Sequence, residues 1–207
     1  MLFTSLNFLV FFCFITVLYY FLPYRMRWIL LLAGSLVFYL FSIPVYAIVL
    51  IGSILLNYFF GIWVDQSKTN IKRKQVMIFG IVMNLLLLAV FRYADSLFEI
   101  ISGHFPLSQT GDPVITMIIV PLGISFYTFT NISYLVEIKR KNVPVEKHIG
   151  YFACYLSFFP KLIQGPIERP QHFLPQLREQ HLFDSTEVTN GIRLMLWGYF
   201  KKLVIAD

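Results

Sequence analysis

The segment from Trp28 to Val64 constrains the fold more than any other part of the chain, because it contains no charged residue. A helix that crosses the ~30 Å hydrocarbon core of a bilayer needs about 20 largely apolar residues. Pro44 interrupts this segment, since proline breaks helices. The segment therefore predicts two membrane spans, near residues 28–43 and 45–64.

Three further apolar segments predict spans near residues 2–22, 75–101 and 113–137. Charged residues make up only 14% of the chain, whereas soluble domains carry roughly 25%. Such a chain cannot cover itself with polar surface. The predicted fold class is therefore all-α, a polytopic transmembrane protein of about five spans whose helical region extends to residue 148.

The basic residues alternate between the connections, and this alternation predicts the orientation. Every second connection is basic, with these residues: Arg25, Arg27, Lys68, Lys72, Arg73, Lys74, Lys139, Arg140, Lys141 and Lys147. The connections at 42–44 and 102–112 contain no Lys or Arg. Because basic loops are retained in the cytoplasm, we expect a bacterial inner-membrane protein with its N-terminus outside. The basic residues that give the chain its net charge of +6 then face lipid headgroups. We therefore expect no nucleic-acid partner.

Residues 149–207 follow a different pattern. The apolar run 149–159 is too short to span, and Pro160, Gly165, Pro166, Pro170 and Pro175 follow it closely. Irregular backbone at membrane depth is tolerated where protein buries it or where it lines a wet cavity. We therefore predict a re-entrant or interfacial element over 151–176, a loop over 178–190 and a further helix over 191–206.

Candidate chemistry concentrates in the stretch 158–169, where polar and charged residues interrupt an apolar run. Such residues are costly in a membrane and often mark a pathway or site. An interfacial turn facing headgroups fits the spacing equally well. No metal-ligand spacing is present, so we predict no metal site. The histidines His104, His148 and His181 are interpreted as solvated loop residues, and His172 is the one retained as a candidate.

Four runs in order along the chain resemble the membrane-bound O-acyltransferase family, specifically its bacterial alginate O-acetyltransferase branch. These runs are 121–129, 158–169, 172–177 and 198–207. The resemblance implies a ring of tilted helices around a thin central region with a tunnel. It also implies transfer of an acyl group, usually acetyl, from a cytoplasmic donor for O-acylation of exported polysaccharide such as alginate.

The resemblance also implies ligands and partners. The donor would be acetyl-CoA or a similar thioester, acting as a substrate and not as a bound cofactor. Separate periplasmic or membrane-anchored acetyltransferases would be partners. The residues that the resemblance and the spacing together nominate for the tunnel or substrate are Pro160, Gln164, Gly165, Pro166, Glu168, Arg169 and His172.

In the family the catalytic histidine lies downstream of the position matching Asp207, the last residue here. We therefore expect this chain to be an N-terminal part of a longer enzyme and to be inactive alone. A transporter or channel subunit, or a membrane scaffold, are the alternative functions. A transporter should carry polar residues within several spans and an internal repeat.

Overall fold

The structure, a computed structural model, describes residues 5–41, 44–104, 121–162, 165–166 and 168–206, with the backbone alone for 94–104, 203 and 206. All regular structure in these residues is helical, as predicted. The helices are α1 (Leu6–Phe21), α2 (Tyr24–Leu40), α3 (Ala47–Gln66), α4 (Asn70–His104), α5 (Ile124–Arg140), α6 (Ile149–Ser157), α7 (Phe159–Leu162), α8 (Pro170–Gln176) and α9 (Ser185–Phe200). A 3₁₀ turn, Pro44–Tyr46, precedes α3, and a π-helical turn, Lys201–Ala206, follows α9.

Two of the described helices are long and apolar enough to cross a membrane by length and composition: Pro44–Gln66, and the part of α4 from Asn70 to Tyr93. They coincide with the third and fourth predicted spans. Helices α1, α2 and α5 have only 16 or 17 residues, about 24–26 Å at 1.5 Å per residue. The count of five spans therefore stays a prediction, and residues 113–120 of the fifth lie outside the described residues.

Large apolar side chains are exposed along the long helices. Phe14 on α1, Ile48 and Phe59 on α3 and Leu86 on α4 are each more than half exposed. Soluble monomers rarely expose continuous apolar surface of this kind. The outer faces of these helices therefore suit contact with lipid.

A polar network joins α3, α4 and α5 at the centre of the bundle. The Asn57 and Asn84 side chains exchange two hydrogen bonds, of 2.7 and 3.0 Å. The Asn131 amide donates to Ser53 Oγ at 3.0 Å. All four residues are at most 3% exposed. Because interhelical hydrogen bonds are directional, this network sets the register of the three helices.

Contacts bring several of the basic connections to one end of the bundle. The Tyr58 hydroxyl, in the second half of α3, donates to the Lys147 carbonyl at 2.6 Å. The Trp28 ring, at the start of α2, lies 4.9 Å from the His148 ring. Arg73 donates to the Val64 carbonyl at 3.0 Å and so caps α3.

The predicted loop over 178–190 is wrong in its second half, because α9 begins at Ser185. The Asp184 side chain accepts from the Thr186 N–H at 2.8 Å, and Glu187 lies in the first turn. A capping acceptor and an acidic first turn favour helix initiation. The polar residues that suggested a loop are therefore the start of the helix.

Candidate functional site at the broken segment

The Pro- and Gly-rich segment folds as the three short helices α6, α7 and α8, separated by breaks. We call residues 149–176 the broken segment. Helix α6 is buried, with Phe152, Cys154 and Tyr155 inaccessible to solvent. Neighbouring side chains satisfy part of the interrupted backbone: the Phe159 N–H donates to Ser35 Oγ at 3.1 Å, and the Tyr155 hydroxyl donates to the Glu168 carbonyl at 3.0 Å. This is the condition under which broken backbone is tolerated inside a membrane protein.

Two of the sequence motifs meet at Gly123. This residue has φ +73° and precedes α5, and a Cβ placed on it would lie 2.3 Å from the Leu162 carbonyl oxygen. Glycine is needed both for the left-handed conformation and for the close approach. The first motif, 121–129, therefore packs directly against the second, 158–169.

Lys161 lies inside the broken segment with its amine held between two rings. Its Nζ is 3.9 Å from the centre of the Phe173 ring and 4.2 Å from that of Tyr155, distances typical of cation–π contacts. The Nζ atom is buried, and none of the described residues offers it a hydrogen-bond partner. Lys161 was missing from the sequence candidates, although a lysine next to Pro160 in an apolar run was a signal.

A cavity of about 830 Å³ adjoins the segment, between α1 and the chain from the middle of α8 to Leu182. Of the nominated residues, Pro160 and Glu168 line it. Its walls are aromatic at Phe12 and Phe159, and polar groups such as His181 line it as well. Predominantly apolar walls with a few polar groups are typical of small-molecule sites.

The other nominated residues that the structure describes do not line this cavity. Gly165 packs against Lys161 and donates its N–H to the Lys161 carbonyl at 3.0 Å. Pro166, Arg169 and His172 are exposed. Gln164 lies outside the described residues. The structure thus joins Pro160, Gly165 and Glu168 to Lys161 and the cavity, and the role of each nominated residue stays a prediction.

Two buried carboxylates, which the sequence reasoning missed, anchor α8. Glu137 Oε2 accepts from the side-chain amides of Gln171 and Asn142, each at 2.7 Å. Glu146 pairs with Arg178. These bonds fix α8, and Arg178 two residues after it, to the end of α5 and the following loop. No local pattern marks either glutamate as buried.

His148 is an exposed residue at the end of a loop, and it also caps the helix that follows. Its Nδ1 accepts from the Tyr151 N–H at 3.4 Å and thereby caps α6. Its ring also stacks against Trp28 and Tyr151. His148 therefore holds α6 against the start of α2, and it remains exposed.

Comparison with known proteins identifies relatives along almost the whole chain. The chain is 34% identical over 198 residues to the probable alginate O-acetylase AlgI of Pseudomonas aeruginosa, covering 92% of this chain and 36% of the relative. It is 33% identical over 194 residues to the protein of the same name from Azotobacter vinelandii, covering 92% and 38%. It is 30% identical over 207 residues to the peptidoglycan O-acetyltransferase of Helicobacter pylori, covering 86% and 38%.

The chain thus spans between a third and two fifths of the length of these curated relatives. No family model matches the chain, and no solved structure matches it. The resemblance expected from the four motifs is confirmed by the relatives.

Proposed function

The chain is a relative of the bacterial alginate O-acetylases over 92% of its own length, and on that premise we propose that it is a membrane-embedded part of an O-acetyltransferase. The acceptor would be an exported cell-surface polysaccharide such as alginate. The sequence relationship carries the proposal, since the relatives are named as alginate O-acetylases and a peptidoglycan O-acetyltransferase. The transferred group would be acetyl.

The broken segment supports a passage for the acetyl group. A thioester donor such as acetyl-CoA is charged and cannot cross the hydrocarbon core, so a nucleophile of the acceptor must take the acetyl group from it while the thiol is released on the cytoplasmic side. The acetylated species then needs a route that is protected from lipid and supplied with a few polar contacts. Helices α6–α8, the Lys161 amine and the cavity beside Pro160 and Glu168 combine these properties.

Separate periplasmic or membrane-anchored acetyltransferases complete the proposed reaction. The acetyl group that emerges on the outer side would be passed to them, and they would place it on the polysaccharide. The donor is a substrate in this scheme, and the chain needs no resident cofactor or metal ion.

Deleting the gene that encodes this chain should remove most ester-linked acetate from the cell-surface polysaccharide, measured after mild alkaline release. Complementation with the full-length gene that carries Arg169→Ala should restore about 10- to 100-fold less acetate than the full-length wild-type gene. A charged group that contacts substrate contributes about 1.5–3 kcal/mol, which corresponds to that factor in rate.

The control is Arg140→Ala, which removes an exposed arginine at the end of α5 and should restore normal acetylation. Both variants must be present in the membrane at wild-type levels. Unchanged acetate after deletion would refute the proposed function. Normal acetate with Arg169→Ala would remove Arg169 from the substrate contacts and leave the function standing.

The proposed topology places the N-terminus outside and the basic connections in the cytoplasm. A reporter enzyme that works only in the cytoplasm should therefore be active when it is fused after Asn70. A reporter enzyme that works only in the periplasm should be active when it is fused after Ser108. The physical reason is the retention of Lys- and Arg-rich loops on the cytoplasmic side. The reverse pattern would overturn this orientation, and with it the assignment of the donor side.

A further inference from the structure

Lys161 connects the three short helices of the broken segment through two aromatic rings. Its Nζ atom is buried and lies 3.9 Å from the centre of the Phe173 ring on α8 and 4.2 Å from that of Tyr155 on α6. The centres of these two rings are 5.6 Å apart, so the amine contacts both rings at once. A cation is attracted to the face of an aromatic ring within about 6 Å. The Lys161 side chain on α7 therefore draws α6 and α8 together.

Phe173, one of these two rings, is part of the cavity wall. It lines the cavity beside Phe158, and the centres of the two rings are 5.0 Å apart in an edge-to-face arrangement. Tyr155 supports the same wall, since its hydroxyl donates to the carbonyl of Glu168, which also lines the cavity. Lys161 itself does not line the cavity. It therefore acts on the cavity through Phe173, the ring that it contacts in the wall.

The position of α8 depends on contacts of this kind. The helix has only seven residues, and Pro175 lies inside it, so few backbone hydrogen bonds hold it together. The Gln171 side chain donates to Glu137 at 2.7 Å and so restrains one side of the helix. Residues two positions apart face different sides of a helix, so Phe173 restrains another side. The contact with Lys161 thus fixes the side of α8 that faces the cavity.

The charge of Lys161 suits this role better than its length alone. A buried amine is costly in a membrane protein, and an apolar side chain such as methionine would fill the same space without that cost. The faces of the Tyr155 and Phe173 rings compensate part of the cost, because they carry negative electrostatic potential. The amine thereby gains an attraction to both rings that an apolar side chain cannot supply.

We propose that Lys161 is a positioning residue of the passage, whose ammonium group holds Phe173 in the cavity wall through a cation–π contact. This role rests on the proposed function, since the cavity is the one beside which the acetylated species would pass. Arginine at position 161 should retain the role, because a guanidinium group also binds aromatic faces. Methionine should lose it, because it keeps the bulk and removes the charge.

Complementation of the deletion strain with full-length genes tests this role, with the ester-linked acetate expressed per amount of the protein in the membrane. Lys161→Met should lower acetate about 5- to 30-fold, the rate equivalent of a buried cation–π contact, and Lys161→Arg should restore most of it. Phe173→Leu, which removes the ring face, should lower acetate by a similar factor. The double variant Lys161→Met with Phe173→Leu should be no lower than either single variant, since both remove the same contact.

Lys74→Met is the matched control, because Lys74 is exposed in the first turns of α4 and should restore normal acetate. Equal acetate from the Lys161→Met and Lys74→Met genes would overturn the role of Lys161 and leave the proposed function standing. Losses that multiply in the double variant would also overturn it, since Lys161 would then act independently of Phe173. So would a Lys161→Arg protein that restores no more acetate than Lys161→Met. Unchanged acetate after gene deletion would refute the proposed function itself, and the role of Lys161 with it.

Discussion

Replacement of Gly123 by alanine is expected to destabilise the chain by about 2–5 kcal/mol. A left-handed conformation costs a residue with a side chain roughly 1–2 kcal/mol, and Gly123 has φ +73°. The added Cβ would also lie 2.3 Å from the Leu162 carbonyl oxygen, and overpacking of this kind costs about 1–3 kcal/mol. Denaturant unfolding of the purified protein in detergent, followed by tryptophan fluorescence, measures the change.

Gly52→Ala is the matched control for this prediction. Gly52 lies within α3, and a Cβ placed on it would meet no atom within 4 Å. Because alanine is favoured over glycine in helices by roughly 0.5–1 kcal/mol, Gly52→Ala should leave stability unchanged or increase it slightly. Equal stability of the Gly123→Ala and Gly52→Ala variants would show that the contact between Gly123 and Leu162 does not form.

Replacement of Asn84 by leucine is expected to destabilise the bundle by about 1–3 kcal/mol, because it leaves the Asn57 side-chain oxygen buried without a partner. Asn84 and Asn57 exchange two hydrogen bonds between α4 and α3. The double variant Asn57→Leu with Asn84→Leu should cost clearly less than the sum of the single variants, since it leaves neither partner unpaired. The unfolding free energies of the wild type, the two single variants and the double variant, measured in one detergent, give the interaction energy between Asn57 and Asn84.

Asn190→Leu provides the control, because Asn190 is exposed on α9. Such a surface substitution should change stability by no more than about 0.5 kcal/mol. If the loss of unfolding free energy in the double variant equals the sum of the losses in the Asn57→Leu and Asn84→Leu variants, the two side chains do not interact. That result would contradict the hydrogen bonds between α3 and α4.

The helical class and the position of the candidate site could be predicted from local patterns. The uncharged run from Trp28 to Val64 has the length and composition of membrane helices, and α2 and α3 lie within or near it. The closely spaced prolines and glycines after residue 159 predicted a broken segment, because proline and glycine act on their own backbone. Asp184 also carried a local signal for the start of α9, but the polar composition around it favoured a loop.

The contacts that define the site could not be predicted in the same way. The chain alone determined that helices form, where they break and which families it resembles, since these depend on neighbouring residues. Only the tertiary structure decided that Gly123 meets Leu162, that Phe173 and Tyr155 enclose the Lys161 amine, and that Glu137 holds Gln171. Each of these pairs, apart from Tyr155 with Lys161, joins residues more than ten positions apart. Their meeting depends on how whole helices pack, which no local pattern specifies.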